Sequence, residues 1–180
     1  MLLAQDHISR TSLAGKLGIT LAAAALIALS AKVQVPFWPV PMTLQTMAVM
    51  GLAVVLGPRL GLAAMGSYLA AGLAGLPVFA TAGAGLAYLA GPTAGFLLGF
   101  LLAMGVTGAL AQGRGILGRG LAMLAGLATI YVPGLIWLTN FVPSERVLAA
   151  GFTPFILGDL VKLVVALMLI EGTRRIMQRR

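Results

Sequence analysis

The feature that most constrains this chain is the recurrence of long apolar stretches, at about 15–34, 43–58, 60–77, 93–112, 120–141 and 153–172. A helix needs roughly 20 apolar residues to cross about 30 Å of hydrocarbon, so each stretch is read as a membrane span. The second and third are separated only by "LGPRLG", where Pro58 and Arg59 break the run. Charged residues are 9% of the 180, against about 25% in soluble domains. We therefore expect an all-α membrane protein of six transmembrane helices with both termini cytoplasmic. Residues 1–180 form one integral membrane domain, with a short N-terminal tail at 1–14 and a basic C-terminal tail at 173–180.

The net charge of +8 raises the question of nucleic acid, and its distribution answers it. With both termini inside, Arg10, Lys16, Arg59, Arg114, Arg119, Arg174, Arg175, Arg179 and Arg180 fall on the inner side, and only Lys32 and Arg146 outside. That asymmetry is the positive-inside pattern, so the basicity reads as topology in a cell membrane and contact with anionic lipid. The basic start and "ALSA" also resemble a secretory signal; we read them as the first span, since cleavage would leave five spans and separate the termini.

Catalytic chemistry has little to work with. There is no cysteine, and the single histidine, His7, lies in the polar N-terminal tail. A disulfide framework, a thiolate nucleophile, a metal site at membrane depth and a Ser-His-Asp triad all lack their parts. "GRGILG" at 113–118 matches G-x-G-x-x-G by letter, but no strand precedes it and no acid follows at the right distance, so it reads as a basic loop. We expect neither an enzyme, nor a cofactor, nor a metal.

The outer connections differ from the inner ones. "VPFWPVPMTLQ", "LPVFATAGAGLAYLAGPT" and "FVPSERVLAAGFTP" hold seven of the nine prolines, together with Trp38, Phe79 and Tyr88. Loops this apolar are expected to fold down over a ligand cavity at the outer mouth, where non-helical backbone is tolerated at membrane depth. Below them, in the last span, "GDLVK" places Asp159 and Lys162 three residues apart on one helical face. An isolated charge at the centre of a span costs roughly 2.5–3.5 kcal/mol, so the two must face protein or a wet cavity. They are either a structural ion pair, or an acceptor and a donor for a polar small molecule entering from outside, or a proton-coupling site at Asp159. Thr43, Gln45, Tyr68, Thr93, Tyr131 and Asn140 are the uncharged polar residues at similar depth, and packing with a backbone hydrogen bond competes with a site role for each. Glu171 and Arg174 read as a solvated pair at the inner helix end.

Small residues carry two further expectations. Gly91, Gly95 and Gly99 recur at four-residue intervals and would make one bare strip of a helix for close packing within the chain. Ala24 and Ala28 form a similar strip on the first span, which could instead meet a partner protein.

"VPFWPVPMTLQTMAV", "GPRLG", "GLPVFA", "GPTAGFLLGF" and "GDLVK" occur in an order and spacing that resembles the BioY family, the biotin-binding S components of energy-coupling factor (ECF) transporters. The resemblance spans roughly residues 20–170. It implies six helices with cytoplasmic termini, biotin bound near the outer face, and partnership with a transmembrane T component and paired ATPases. This chain has no P-loop G-x-x-x-x-G-K-[ST] of its own, so ATP hydrolysis would belong to the partners. By the same resemblance, the family's G-D-x-x-K falls on Gly158, Asp159 and Lys162. Thr43 and Gln45 come from the first outer loop, and Phe79, Gly83, Gly85, Tyr88 and Thr93 from the second. Trp38, Phe79 and Tyr88 would supply apolar walls for the ligand ring, and Ala24 and Ala28 would meet the T component. Lys162 and backbone amides are both open as partners of the biotin carboxylate. An S component for thiamin or riboflavin would share the architecture. A self-sufficient ion-coupled transporter would normally be larger and internally repeated, and no repeat is found.

Overall fold

A computed structural model describes residues 11–178; His7, Arg10, Arg179 and Arg180 lie outside the described residues. Helix α1 spans Leu13–Lys32, and Ser12 caps it by accepting a hydrogen bond from the Gly15 amide at 3.2 Å. A two-stranded antiparallel hairpin follows, β1 at Gln34–Val35 and β2 at Met42–Thr43, with Gln34 opposite Thr43. Its connection contains Pro36, Pro39 and Pro41, which keep 36–41 out of regular structure.

Helix α2, Gln45–Leu73, is broken at Gly57, whose φ of 73° lies in the left-handed region open to glycine. Pro58 then restarts the helix, its fixed φ suiting a first-turn position. The break reverses the chain. Gln45 Nε2 donates to the Tyr68 hydroxyl at 2.9 Å although the two are 23 residues apart, a separation of about 34 Å along a straight helix. The arms 45–56 and 58–73 are therefore two antiparallel rods. Gly108 lies against the turn; a Cβ there would sit 2.7 Å from the Pro58 nitrogen.

The short helix α3, Gly85–Leu89, belongs to the second loop, and α4 runs over Ala94–Leu110. Helix α5 is Ile116–Leu138; a 3₁₀ turn at Ser144–Arg146 and the short α6, Val147–Gly151, lead into α7 at Thr153–Gln178. By length and composition Leu13–Lys32, Gln45–Leu73, Ile116–Leu138 and Ser144–Ile176 are long and apolar enough to cross a membrane, and Ala94–Leu110 is apolar but shorter. The surface agrees with a lipid environment: Leu21, Leu29, Leu117, Leu157 and Met168, from α1, α5 and α7, are all more than half exposed.

Hydrocarbon gives no hydrophobic drive for helices to associate, so close packing must hold them. Helices α4 and α5 pack most extensively. A Cβ on Gly95 would lie 2.3 Å from Trp137 Cβ, and one on Gly99 would lie 2.7 Å from the Ile130 backbone. From α5, Gly126 abuts Thr107 and Gly134 abuts the Phe96 ring. The strip expected at Gly91, Gly95 and Gly99 thus operates through its last two members. Gly91 precedes the helix, where its carbonyl accepts from Trp137 Nε1 at 2.9 Å.

This packing locates the α1 small-residue strip and corrects one sequence expectation. Ala24 faces the core and Ala28 packs against it, because the buried stripe of α1 runs through Thr20, Ala23, Ala24, Ile27 and Ala31; the exposed small residues of that helix are Ala14, Gly18, Ala22 and Ala25. Glu171 is not part of a solvated pair. It accepts from Arg119, which is 2% exposed, as well as from Arg174 at 3.5 Å, because α5 and α7 run antiparallel and bring residues 119 and 171 together.

Candidate functional site

Asp159 occupies the second turn of α7 and is 6% exposed. Its carboxylate is held from two sides. Oδ1 accepts from Lys162 Nζ at 2.9 Å, and Oδ2 accepts from the Tyr131 hydroxyl of α5 at 2.7 Å. Lys162 Nζ also donates to the backbone carbonyl of Thr43 at 2.7 Å. The i, i+3 spacing of the acid and base allows their contact along one helix. The end of β2 then lies above them because the hairpin turns the chain from α1 into α2.

The network continues into the first loop. The Thr43 hydroxyl accepts from the Gln45 amide at 3.2 Å, and Gln45, 3% exposed, reaches Tyr68 on the opposite arm of α2. Tyr131, Asp159, Lys162, Thr43, Gln45 and Tyr68 therefore form one chain of contacts across α5, α7, the hairpin and both arms of α2. A buried charge pair is costly unless its remaining hydrogen-bonding capacity is met. Here the carboxylate has two donors and the ammonium two acceptors. An ammonium has three N–H donors, so Lys162 retains one for a ligand.

All of these residues except Tyr68 line a cavity of about 60 Å³. Asp159, Lys162, Thr43, Gln45, Tyr88 and Thr93 all contribute to its lining. The apolar walls come mainly from Phe96, Leu97 and Phe100 on α4, Ile130 on α5 and Phe155 on α7, with Val40 and Met42 from the hairpin. A mostly apolar wall with a few convergent polar groups is the usual character of a small-molecule site.

The second loop caps this space and is tightly seated. Tyr88 lines the cavity and stacks on Phe79, with ring centroids 4.9 Å apart and planes at 16°. Phe79, fully buried, meets Tyr68 edge-on at 5.4 Å. Gly83 allows the Tyr88 ring to approach, since a Cβ there would be 2.1 Å from Tyr88 Cδ2, and Gly85 adopts a φ of 73° at the start of α3. Lys32 Nζ, at the end of α1, donates to the carbonyls of Phe79 and Thr81 at 2.6 and 2.7 Å, and the Thr81 amide donates to Gln34 Oε1 at 3.2 Å. Burial pushes the Tyr88 phenol above its ordinary pKa, so it acts as a neutral hydrogen-bonding group.

The structure thus brings Asp159, Lys162, Thr43, Gln45, Tyr88 and Thr93 to one cavity. It places others elsewhere. Trp38 is 87% exposed and forms no part of the wall, because the proline-rich tip of the hairpin carries it outward. Phe79 stands behind Tyr88 as support, and Gly83 and Gly85 shape the loop without lining the cavity. Asn140 is exposed and donates to the Trp137 carbonyl at 2.9 Å. Of Tyr68, Tyr131 and Asn140, which the sequence names without assigning to the site, Tyr131 is the one that lines the cavity. Its only signal was depth in a span; the 28 residues separating it from Asp159 hid the contact. Phe96, Phe100 and Phe155 had no signal, since aromatic residues in a span serve lipid and cavity alike. Among the described residues no group of three or more His, Cys, Asp or Glu side chains could hold a metal ion.

The fold and the site define a multi-pass membrane protein with an apolar-walled, loop-capped cavity. A family model described as the BioY family matches residues 6–179. The biotin transporter BioY of Thermotoga maritima is 43% identical over 144 residues, covering 79% of this chain and 85% of that protein. The probable biotin transporter BioY of Pyrococcus horikoshii is 39% identical over 147 residues, covering 82% and 88%. In three dimensions the chain matches the crystal structure of the S-component for biotin from an ECF-type ABC transporter, with a TM-score of 0.79, 26% identity, and coverage of 89% of this chain and 90% of that one. This chain belongs to the BioY family.

Proposed function

We propose that the chain captures biotin at the outer face of the cytoplasmic membrane and serves as the substrate-binding subunit of an ECF-type transporter. The observation that carries this reading is the buried Tyr131–Asp159–Lys162–Thr43 network opening on a loop-capped, apolar-walled cavity, in a chain of the BioY family. Biotin has a flat ureido group, an apolar sulfur-containing ring and a carboxylate tail. Asp159 offers an acceptor and Lys162 a donor to its polar atoms, while Phe96, Phe100 and Tyr88 cover the ring.

The cavity as it stands has room for only a few water molecules, at about 10–15 Å³ for each. Biotin is larger, so entry requires the capping loops to lift. The latch between Lys32 and the Phe79 and Thr81 carbonyls is the contact that has to open first. Both termini lie in the cytoplasm in this reading, with the two arms of α2 as separate spans and six spans in all. Transport is powered by a T component and ATPase subunits that this chain meets in the bilayer.

The test is uptake of labelled biotin by cells lacking their own importer. Accumulation that rises when the T and ATPase subunits are co-expressed supports the reading. Accumulation equal with and without them assigns the energy source to this chain alone. Uptake of thiamin or riboflavin in place of biotin would transfer the same architecture to another vitamin.

A further inference from the structure

A second cavity lies on the outer surface of the bundle between α5 and α7, running along α7 from Leu160 to Leu167, with about 470 Å³ of free volume. Its lining is almost wholly aliphatic, with Leu117, Leu121 and Leu124 on one side and Leu160, Val164 and Leu167 on the other. Gly120 deepens it: a Cβ there would approach Leu167 Cδ2 to 3.6 Å. Leu117, Leu121 and Val164 are exposed, so the groove opens outward from the helix bundle.

Its end is basic. The α7 stripe that lines the groove continues through Glu171 to Arg174, and Glu171 is shared with Arg119 from α5. Two cations therefore face one carboxylate. The Nε–H groups of both Arg119 and Arg174 are covered and have no acceptor among the described residues. Arg114, exposed, stands three residues before Leu117, its stem against Gly118. Excess positive charge at one end of a hydrocarbon-lined groove matches one kind of molecule in both parts. A neutral lipid satisfies only the groove, and a soluble phosphate only the arginines.

We infer that this groove binds an anionic phospholipid of the inner leaflet. One acyl chain lies between α5 and α7, and the phosphate sits at Arg174 and Arg114, balancing the surplus charge of the Arg119–Glu171–Arg174 cluster. The site is separate from the ligand cavity, to which α7 contributes Phe155, Asp159 and Lys162 rather than Leu160, Val164 and Leu167.

The experiment reconstitutes the full chain in vesicles of equal phosphatidylglycerol and phosphatidylcholine, extracts it in mild detergent, and reads retained lipid by native mass spectrometry. One phosphatidylglycerol per chain is expected, in preference to phosphatidylcholine. Arg114→Gln and Arg174→Gln should each lower that preference roughly five-fold, the effect of one basic residue at an anionic surface. Leu121→Trp, which fills the groove without altering charge, should lose the retained lipid. Gly120→Leu gives the same readout should the tryptophan variant not fold, folding being judged by melting temperature. Equal retention of the two lipids overturns the inference. So does undiminished phosphatidylglycerol on a folded groove-filling variant, or a chain that emerges as a dimer with the groove covered by its second copy.

Discussion

Lys162 Nζ bridges two residues distant in sequence, Asp159 in its own helix at 2.9 Å and the carbonyl of Thr43, 119 positions earlier, at 2.7 Å. One side chain therefore ties the last span to the hairpin that caps the cavity. If the proposed ligand takes up Asp159 or Lys162, it also acts on the strand that ends at Thr43.

Removing half of this pair should cost stability, and removing both should cost little. Lys162→Met leaves a buried carboxylate with Tyr131 as its only remaining direct partner and is expected to destabilise by about 3–5 kcal/mol. Asp159→Leu combined with Lys162→Met leaves no charge uncompensated and should recover most of that loss. Thermal melting of the purified variants reads both, and biotin binding should be absent from the double variant. A double variant as unstable as Lys162→Met alone would show that the charges are not the source of the cost.

The cap should be governed by Lys32. Lys32→Met removes the bonds to the Phe79 and Thr81 carbonyls while leaving the cavity wall intact. Exchange of bound labelled biotin should become faster, with association and dissociation rates rising together and the equilibrium affinity changing less than either. A slower exchange would contradict the latch.

Two aromatic residues separate what a loop residue's type suggests from where it sits. Tyr88→Ala removes cavity wall and should weaken biotin binding by about ten-fold or more, as expected for losing a large buried apolar contact. Trp38→Ala, at an exposed position, should leave affinity within about two-fold. Isothermal titration of the two variants decides between them.

The absence of cysteine permits a clean topology experiment. Single cysteines introduced as Gln112→Cys and Glu145→Cys, both at exposed positions, should be labelled by a membrane-impermeant maleimide from opposite sides. Intact cells should label position 145 and not 112. Labelling of both from outside would overturn the six-span reading.

Much of this was legible because charge is so scarce. Asp159 and Lys162 are conspicuous in a hydrophobic span, and their spacing alone puts them on one face. Gly95 and Gly99 are legible for a related reason, since helices in lipid approach through small side chains. What stayed hidden depends on pairing between distant segments. Arg119 and Glu171 are 52 residues apart, and nothing local distinguishes a buried arginine from the solvated ones beside it. Ala24 and Ala22 are the same residue type, and only the packing of α1 decides which of them faces the core. Trp38 and Tyr88 are both loop aromatics, and the hairpin's proline-rich tip turns one outward while Gly83 seats the other.

The most direct measurement is equilibrium binding of biotin to the purified, detergent-solubilised chain and to Asp159→Asn, with thiamin and riboflavin as controls. The native chain should bind biotin in preference to both controls. Asp159→Asn, folded and melting near the native temperature, should bind about ten- to a hundred-fold more weakly, the range for losing a hydrogen bond to a charged group. Unchanged affinity in a folded Asp159→Asn would return the Asp159–Lys162 pair to a purely structural role and contradict the site described.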